Sequence, residues 1–282
     1  MADHRMMPFT RTTLWIENCH SLLEGAGLVC FADFMNFFDG ERVSVQRGRT
    51  VTYFRLADRG FYLKRNYFNG KELIKCLLRL RWPPRNALGE WENIRAVREA
   101  GILTVNPIAA GETKFLGIEL ASFIVIEELY GARPLEKVIM EEPAAILKST
   151  RRPWKRLLIR EVAGLARRMH AAGLCHQDFY LGHLFLDGAG ALYLIDLQRV
   201  RRDRKVPRHF IVKDLGQLNY SADLTGKFSK TDRMRFLLPY LGTASLGPEG
   251  KRLARAIMAK TERIARHTVK LLTRRRRRGE LP

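Results

Sequence analysis

The chain has 282 residues, 46% hydrophobic and 10% aromatic, enough for one large domain or two lobes and too apolar for a disordered chain. Its 50 Lys and Arg against 29 Asp and Glu leave a net charge of +21, which points to a polyanionic partner: nucleic acid, an acidic membrane or a phosphorylated substrate. Cys19, Cys30, Cys76 and Cys175 lack CxxC spacing and read as reduced core thiols of a cytosolic protein; no signal-peptide run or bilayer-length apolar stretch occurs, which implies a soluble or surface-resting chain.

Taken in order, residues 10 to 24 read as a helix with Thr12 or Thr13 as N-cap and Leu14, Trp15, Leu22 and Leu23 apolar. The aromatic segment LVCFADFMNFF, 28 to 38, reads as a hydrophobic cover for the first lobe. RVSVQ, TVTYFRL and GFYLKR then alternate apolar and polar residues around Gly48 and Gly60, predicting an antiparallel three-stranded meander. A short basic helix over 71 to 80 ends before Pro83 and Pro84, and NALGEWENIRAVREAG is a second helix capped by Asn86 and stopped at Gly101. PIAAGE and SFIVIEEL are two further strands.

After Gly131 the pattern turns helical. PWKRLLIREVAGLARRMHAAG starts with Pro153, carries Leu158, Val162, Leu165 and Met169 on one stripe, and closes at Gly173. HLFL and LYLID form two short strands about DGAG, followed by helices over KDLGQLNYSA, DRMRFLLPYLG and about 250 to 273. The expected organisation is an N-terminal helical extension (1–40), a β-rich lobe (41–130), an α-rich lobe (131–249), and a basic C-terminal helix and tail (250–282).

Two carboxylates stand out in this chain of positive charge. Asp178 lies in the polar loop after the long helix, and Asp196 ends a strand whose antiparallel partner begins shortly after that loop. Phosphoryl transfer uses such a pair: one carboxylate orients the acceptor hydroxyl and takes its proton, and the other holds the metal that bridges the phosphates. It also needs a cation on the phosphates, steadied by a helical carboxylate. Lys64, ending GFYLK, fits that cation; Glu90 fits the carboxylate because it shares a helical face with Ile94 and Val97.

The order of GFYLKR, GEWENIRAVREAGILTVNPIAAGE, SFIVIEEL, GLCHQDFYLGHLFL, LYLIDLQRVR, VKDLGQLNYSA and DRMRFLLPYLG resembles the protein-kinase superfamily signature, and within it the Kdo/WaaP family of lipopolysaccharide core sugar kinases. The resemblance covers roughly residues 45 to 243 and implies an α+β, bilobal protein-kinase-like fold. It implies that Lys64 contacts the α- and β-phosphates, with Glu90, or as second choice Glu92, as its ion-pair partner. It makes the backbone of Glu127 to Leu129 the adenine hinge, Asp178 the general base, His183 and Asp196 the metal ligands, and Asp214 a buried brace for the catalytic loop. The implied cofactors are ATP and Mg²⁺ or another divalent cation in an interlobe cleft.

Several positions depart from the protein-kinase pattern. His183 stands where protein kinases carry Asn, and its imidazole suits an ion softer than Mg²⁺, or alternatively a phosphate contact; HQD replaces HRD, and DLQ replaces DFG. The phosphate-covering segment QRGRTVTYF has one glycine, so Arg47, Arg49 and the Thr50 hydroxyl are expected to grip phosphate in place of backbone amides. His176 reads as structural, and His170 and His209 carry no assignment.

The last helix spaces Ile257, Ile264 and Leu271 seven apart and ends in an arginine run, Arg274 to Arg278. Such a helix suits docking of its stripe on the α-rich lobe and attraction of its arginines to an anionic inner-membrane surface. Nucleic acid ranks below this, because no helix-turn-helix, RRM aromatic pair or zinc spacing accompanies the charge. The expected activity is phosphorylation of a heptose or Kdo hydroxyl of the lipopolysaccharide inner core, by a peripheral protein at the cytoplasmic face of the inner membrane. A kinase for a protein or amino-sugar acceptor, or a non-catalytic anion-binding scaffold of the same fold, are the rivals.

Overall fold

The computed structural model describes residues 10–46, 48–67, 87–141 and 153–279. The chain divides into a β-rich unit, within residues 1–96 and 105–130, and an α-rich unit, within 97–104 and 131–282. The expected α+β class holds. The expected helix over 71–80, its neighbour's Asn86 cap, Cys76 and Arg47 lie outside the described residues.

The first unit is built on six strands: β1 (Thr10–Ile16), β2 (Glu41–Gln46), β3 (Arg49–Leu56), β4 (Arg59–Tyr67), β6 (Pro107–Phe115) and β7 (Ile118–Glu127). Their order across the sheet is β1-β6-β7-β4-β3-β2, every neighbour antiparallel, so the predicted meander forms one half. Here the structure corrects the helix read over 10 to 24. Thr10 to Ile16 is an edge strand paired along β6, and only His20–Gly25 (α1) is helical. The reason is local and tertiary together: β-branched Thr10, Thr12, Thr13 and Ile16 fit a pleat, and β6 supplies the ladder.

The described part of residues 1–40, expected as a helical extension, consists of strand β1 and two short helices that pack on this sheet. Leu23 and Leu28 are buried in the same core as Phe61, Leu63, Ile108 and Val125. The aromatic segment supplies α2 (Phe31–Asn36), whose Phe34 stacks on Phe123 of β7 with ring centroids 4.3 Å apart. Its expected role as a cover for this sheet holds. Buried Arg65 of β4 donates from Nε to the Phe34 carbonyl at 2.8 Å, tying the cover down by a polar contact as well. Helix α3 (Ala87–Glu99) follows and ends at Gly101, whose φ of 69° suits glycine.

In the second unit, β5 (Leu103–Thr104) runs parallel to β11 (Leu192–Leu194), which pairs with β10 (Leu184–Leu186), and β10 with β8 (Arg133–Pro134). After α4 (Leu135–Glu141), the long helix α5 (Pro153–Ala171) buries the predicted stripe of Leu158, Val162, Leu165 and Met169. It stops at Gly173, where φ is 78° and a Cβ would stand 2.1 Å from the Asp203 carbonyl oxygen; no other residue fits. Beyond it, β9 (Leu174–Cys175) pairs with β12 (Arg201–Arg202), closing the segment between them into one loop system. Helices α6 (Arg208–Leu224), α7 (Lys230–Leu241) and α8 (Pro248–Arg277) complete the unit, α7 against α5 and α8 along α6. Lys155 of α5 joins the capping aspartate of α7, Asp232, at 2.6 Å.

Because Phe34 is fully buried against Phe123, Phe34→Ala should cost about 3–5 kcal/mol in denaturant unfolding of the β-rich unit. A cost near zero would show that the segment before residue 40 does not belong to this core.

Candidate active site

Lys64 occupies the middle of β4, opposite Val51 on one side and Ile124 on the other. The sheet buries its stem, and its Nζ reaches Glu90 Oε1 of α3 at 2.6 Å. Glu90, rather than Glu92, takes the lysine, as the shared face with Ile94 and Val97 leads one to expect. Both side chains are largely withdrawn from water, at 11% and 5% exposure. Such a pair holds only while both members are present, because either charge alone would be stranded.

Other predicted nucleotide contacts lie on the same sheet. Arg49 opens β3 on the Lys64 face, whereas Thr50, in register with Arg65, turns to the opposite face, where its hydroxyl is buried with no hydrogen-bond partner among the described residues and away from the phosphate expected of it. Glu127 closes β7, but its carboxylate is already taken by Arg59 at 2.7 Å and Asn106 at 3.0 Å. The N–H groups of Glu127 and Glu128 donate to Asn106 and Gly60, whereas Leu129 makes no backbone hydrogen bond to the described residues. Of this hinge segment, Leu129 therefore has the open backbone.

The α-rich unit carries the predicted acids in two loops. His176, Gln177 and Asp178 follow β9, and Asp196 follows β11 with φ 59° in the left-handed region. The Asp178 Oδ2 accepts from Arg199 Nη1 at 2.7 Å, while its Oδ1 accepts nothing from the described residues. Its carbonyl accepts from His183 Nδ1 at 2.7 Å, which places a proton on Nδ1 and turns His183 Nε2 toward Asp196 Oδ2 at 3.8 Å. The structure thus brings Asp178, His183 and Asp196 together. No group of three or more His, Cys, Asp or Glu positioned for a metal occurs among the described residues.

The loop is held from beneath by one face of α6. Asp214 is fully buried; its Oδ2 accepts from the His176 N–H at 2.7 Å and its Oδ1 from the Gln177 N–H at 2.8 Å. One turn on, Gln217 accepts from the Phe179 N–H at 3.2 Å and donates to the Gln177 carbonyl at 2.9 Å. Another turn on, the Ser221 hydroxyl accepts from the Leu181 N–H at 3.0 Å. The predicted brace is real, and it is three residues deep.

His176 is structural, as its sequence context suggests: its Nε2 donates to the Ile195 carbonyl at 2.9 Å, joining the Asp178 loop to the Asp196 loop. Burial pushes its imidazole below the ordinary value, so it is neutral. The unassigned His170 has a place too, between the Tyr240 hydroxyl at 2.8 Å and Asp214 at 3.3 Å. Sequence reasoning missed Arg199, three residues after Asp196, and the roles of Gln217 and Ser221. The spacing of Asp214, Gln217 and Ser221 on one helical face was the available signal.

A strand lysine locked by a helical glutamate, and a braced loop that presents an aspartate beside an aspartate–histidine pair, define a phosphotransferase of the kinase-like class. Comparison with known proteins narrows this. Residues 39–240 match the model of the lipopolysaccharide kinase (Kdo/WaaP) family, and the chain belongs to that family. It is 33% identical over 217 residues to the lipopolysaccharide core heptose(I) kinase WaaP of Escherichia coli K12, covering 72% of this chain and 78% of the relative. To the WaaP of Pseudomonas aeruginosa PAO1 it is 32% identical, covering 68% and 74%. A solved structure described as WaaP in complex with acyl carrier protein superposes with a TM-score of 0.69 at 27% identity, over 90% of this chain and 98% of that one.

Two outcomes are expected from the brace. Asp214→Asn replaces one acceptor with a donor facing a backbone N–H, and should cost about 2–4 kcal/mol of stability in urea titrations. A change below a few tenths would remove the brace. Because the His176 pKa is lowered on folding, its contribution is intact above the unfolded value of about 6.5 and is lost as pH falls from there toward the folded value. His176→Gln should flatten that acid-side loss; an unchanged slope would show that His176 is not the titrating group.

Proposed function

We propose that the protein transfers the γ-phosphate of ATP to a hydroxyl of a lipopolysaccharide inner-core sugar, heptose or Kdo, as a peripheral protein at the cytoplasmic face of the inner membrane. The observation that carries the chemistry is the Asp178 carboxylate, with one oxygen held by Arg199 and the other available to a hydroxyl. Matches to heptose kinases at 32–34% identity, against 22% to a 3-deoxy-D-manno-octulosonic acid kinase, favour heptose.

In this reading the acceptor O–H donates to Asp178 Oδ1, and its proton passes to the carboxylate as the new O–P bond forms and the bond to the ADP leaving oxygen breaks. Lys64, fixed by Glu90, balances phosphate charge, with Arg49 on the same face of the sheet. The Leu129 backbone is offered to adenine. Asp196 and the His183 Nε2 would hold a divalent cation. Of the two, the carboxylate suits Mg²⁺ and the imidazole a softer divalent ion. When bound, the ion supplies charge neutralisation on the phosphates. Acyl carrier protein is proposed as a partner because the solved WaaP that carries it matches this fold over 98% of its length.

With radiolabelled ATP and purified core acceptor, Asp178→Asn should lower kcat by about 10²–10⁴ while leaving stability nearly unchanged. Equal turnover in variant and wild type would reject the base. Mass spectrometry of core sugars from a deletion strain should show one phosphate fewer; an unchanged phosphate count would reject the acceptor.

A further inference from the structure

Helix α8 runs for 30 residues, about 45 Å, and only its first half is docked. It travels in the same direction as α6: Arg208 meets Glu249, Gly216 meets Lys260, and Asn219 meets Thr261 at 3.0 Å. Gly216 makes this approach close, since a Cβ there would stand 2.6 Å from the Lys260 side chain. Ile257 and Thr261 are buried in the contact. But α6 ends at Leu224, and α8 continues to Arg277 with every residue from Val269 onward exposed.

The undocked half keeps the amphipathic pattern after losing its partner. At 100° per residue, Ile264, Thr268, Leu271 and Leu272 continue the stripe begun by Ile257 and Thr261, and Val269 flanks it. Val269, Leu271 and Leu272 are 63%, 47% and 45% exposed. The opposite face carries Arg263, Arg266, Lys270, Arg274 and Arg277, and no acidic residue occurs between Glu262 and Glu280. This half lies outside the region matched by the family model, which ends at residue 240.

We propose that residues 264–278 of α8 lie in the interface of an anionic lipid bilayer, with the leucine–valine stripe among the acyl chains and the arginines on the headgroup phosphates. Complementary charge selects this occupant. A second copy would place two acid-free basic faces together. Nucleic acid would take the arginines and leave the stripe in water. No described helix is long and apolar enough to cross a membrane, so the element lies on the bilayer. Arginine stems can flank the stripe while their guanidinium groups reach the phosphates. The inference rests on the peripheral-membrane reading proposed above and names the element that carries it; because it needs no turnover, it stands or falls separately from the reaction.

The test is co-flotation of the full-length protein with vesicles of phosphatidylcholine alone or mixed with phosphatidylglycerol. The wild type should float with the mixed vesicles only, and added salt should weaken binding. Changing Val269, Leu271 and Leu272 together to Ser should weaken binding by roughly tenfold or more, as should changing Arg274 to Arg278 each to Gln. Circular dichroism and phosphorylation of a soluble acceptor should be unchanged in both variants. Failure of the wild type to float, or binding unaffected by the serine changes, would overturn the proposal. So would a wild-type dimer in light scattering that the serine changes convert to monomer, or equal serine-sensitive binding to soluble polyglutamate.

Discussion

A single buried carboxylate organises the chemical half of this molecule. Asp214 lies wholly out of water, and burying an ionised carboxylate costs several kcal/mol unless donors surround it. Here two consecutive backbone N–H groups and a histidine ring provide those donors. Each charge-assisted bond is worth about 1.5–3 kcal/mol, enough in sum to offset the burial. The same bonds dictate backbone shape. Both N–H groups can point at one carboxylate only if the chain turns sharply between them, and Gln177 accordingly takes a φ of 68°. A left-handed non-glycine residue costs about 1–2 kcal/mol, which the brace must supply.

From that turn the rest of the loop follows. Asp178 comes next, its N–H directed at His176 Nδ1 at 3.3 Å and its carbonyl at His183. The first contact needs a neutral His176, which burial secures. The second orients the ring whose Nε2 faces Asp196. Asp196 has its own left-handed turn, and the short helical turn after it delivers Arg199 to Asp178. Gln177 Nε2 donates to the Arg199 carbonyl at 2.8 Å, so the two loops are tied through backbone and side chain alike. The β-rich unit meets the same demand differently: it fixes Lys64 by sheet register and one buried ion pair.

Much of this was legible in the sequence, because the chemistry is carried by local patterns. The meander, the Lys64 strand, the helical face of Glu90, the long helix before the HQD loop and the hairpin before Asp196 each depend on residues close in sequence. What was not legible depends on distant partners. Thr10 to Ile16 shows apolar positions at Leu14 and Trp15 that a helix could use, and only β6, about a hundred residues later, makes it a strand. His170 could not be assigned because its partners lie 44 and 70 positions away. Arg199 was overlooked because its direction is set by the backbone at Asp196, which no side-chain periodicity reveals. The brace was half legible: Asp214 was anticipated, while Gln217 and Ser221, on the same face, passed as ordinary helix residues.

Native-state hydrogen exchange at the His176 and Gln177 amides tests the brace most directly, because those two N–H groups are its donors. In the wild type both should exchange as slowly as the most protected amides of α5, and in Asp214→Asn they should become faster while the β6 and β7 amides keep their protection. Fast exchange at both amides in the wild type, or the same slow exchange in the variant, would contradict a loop shaped by that carboxylate.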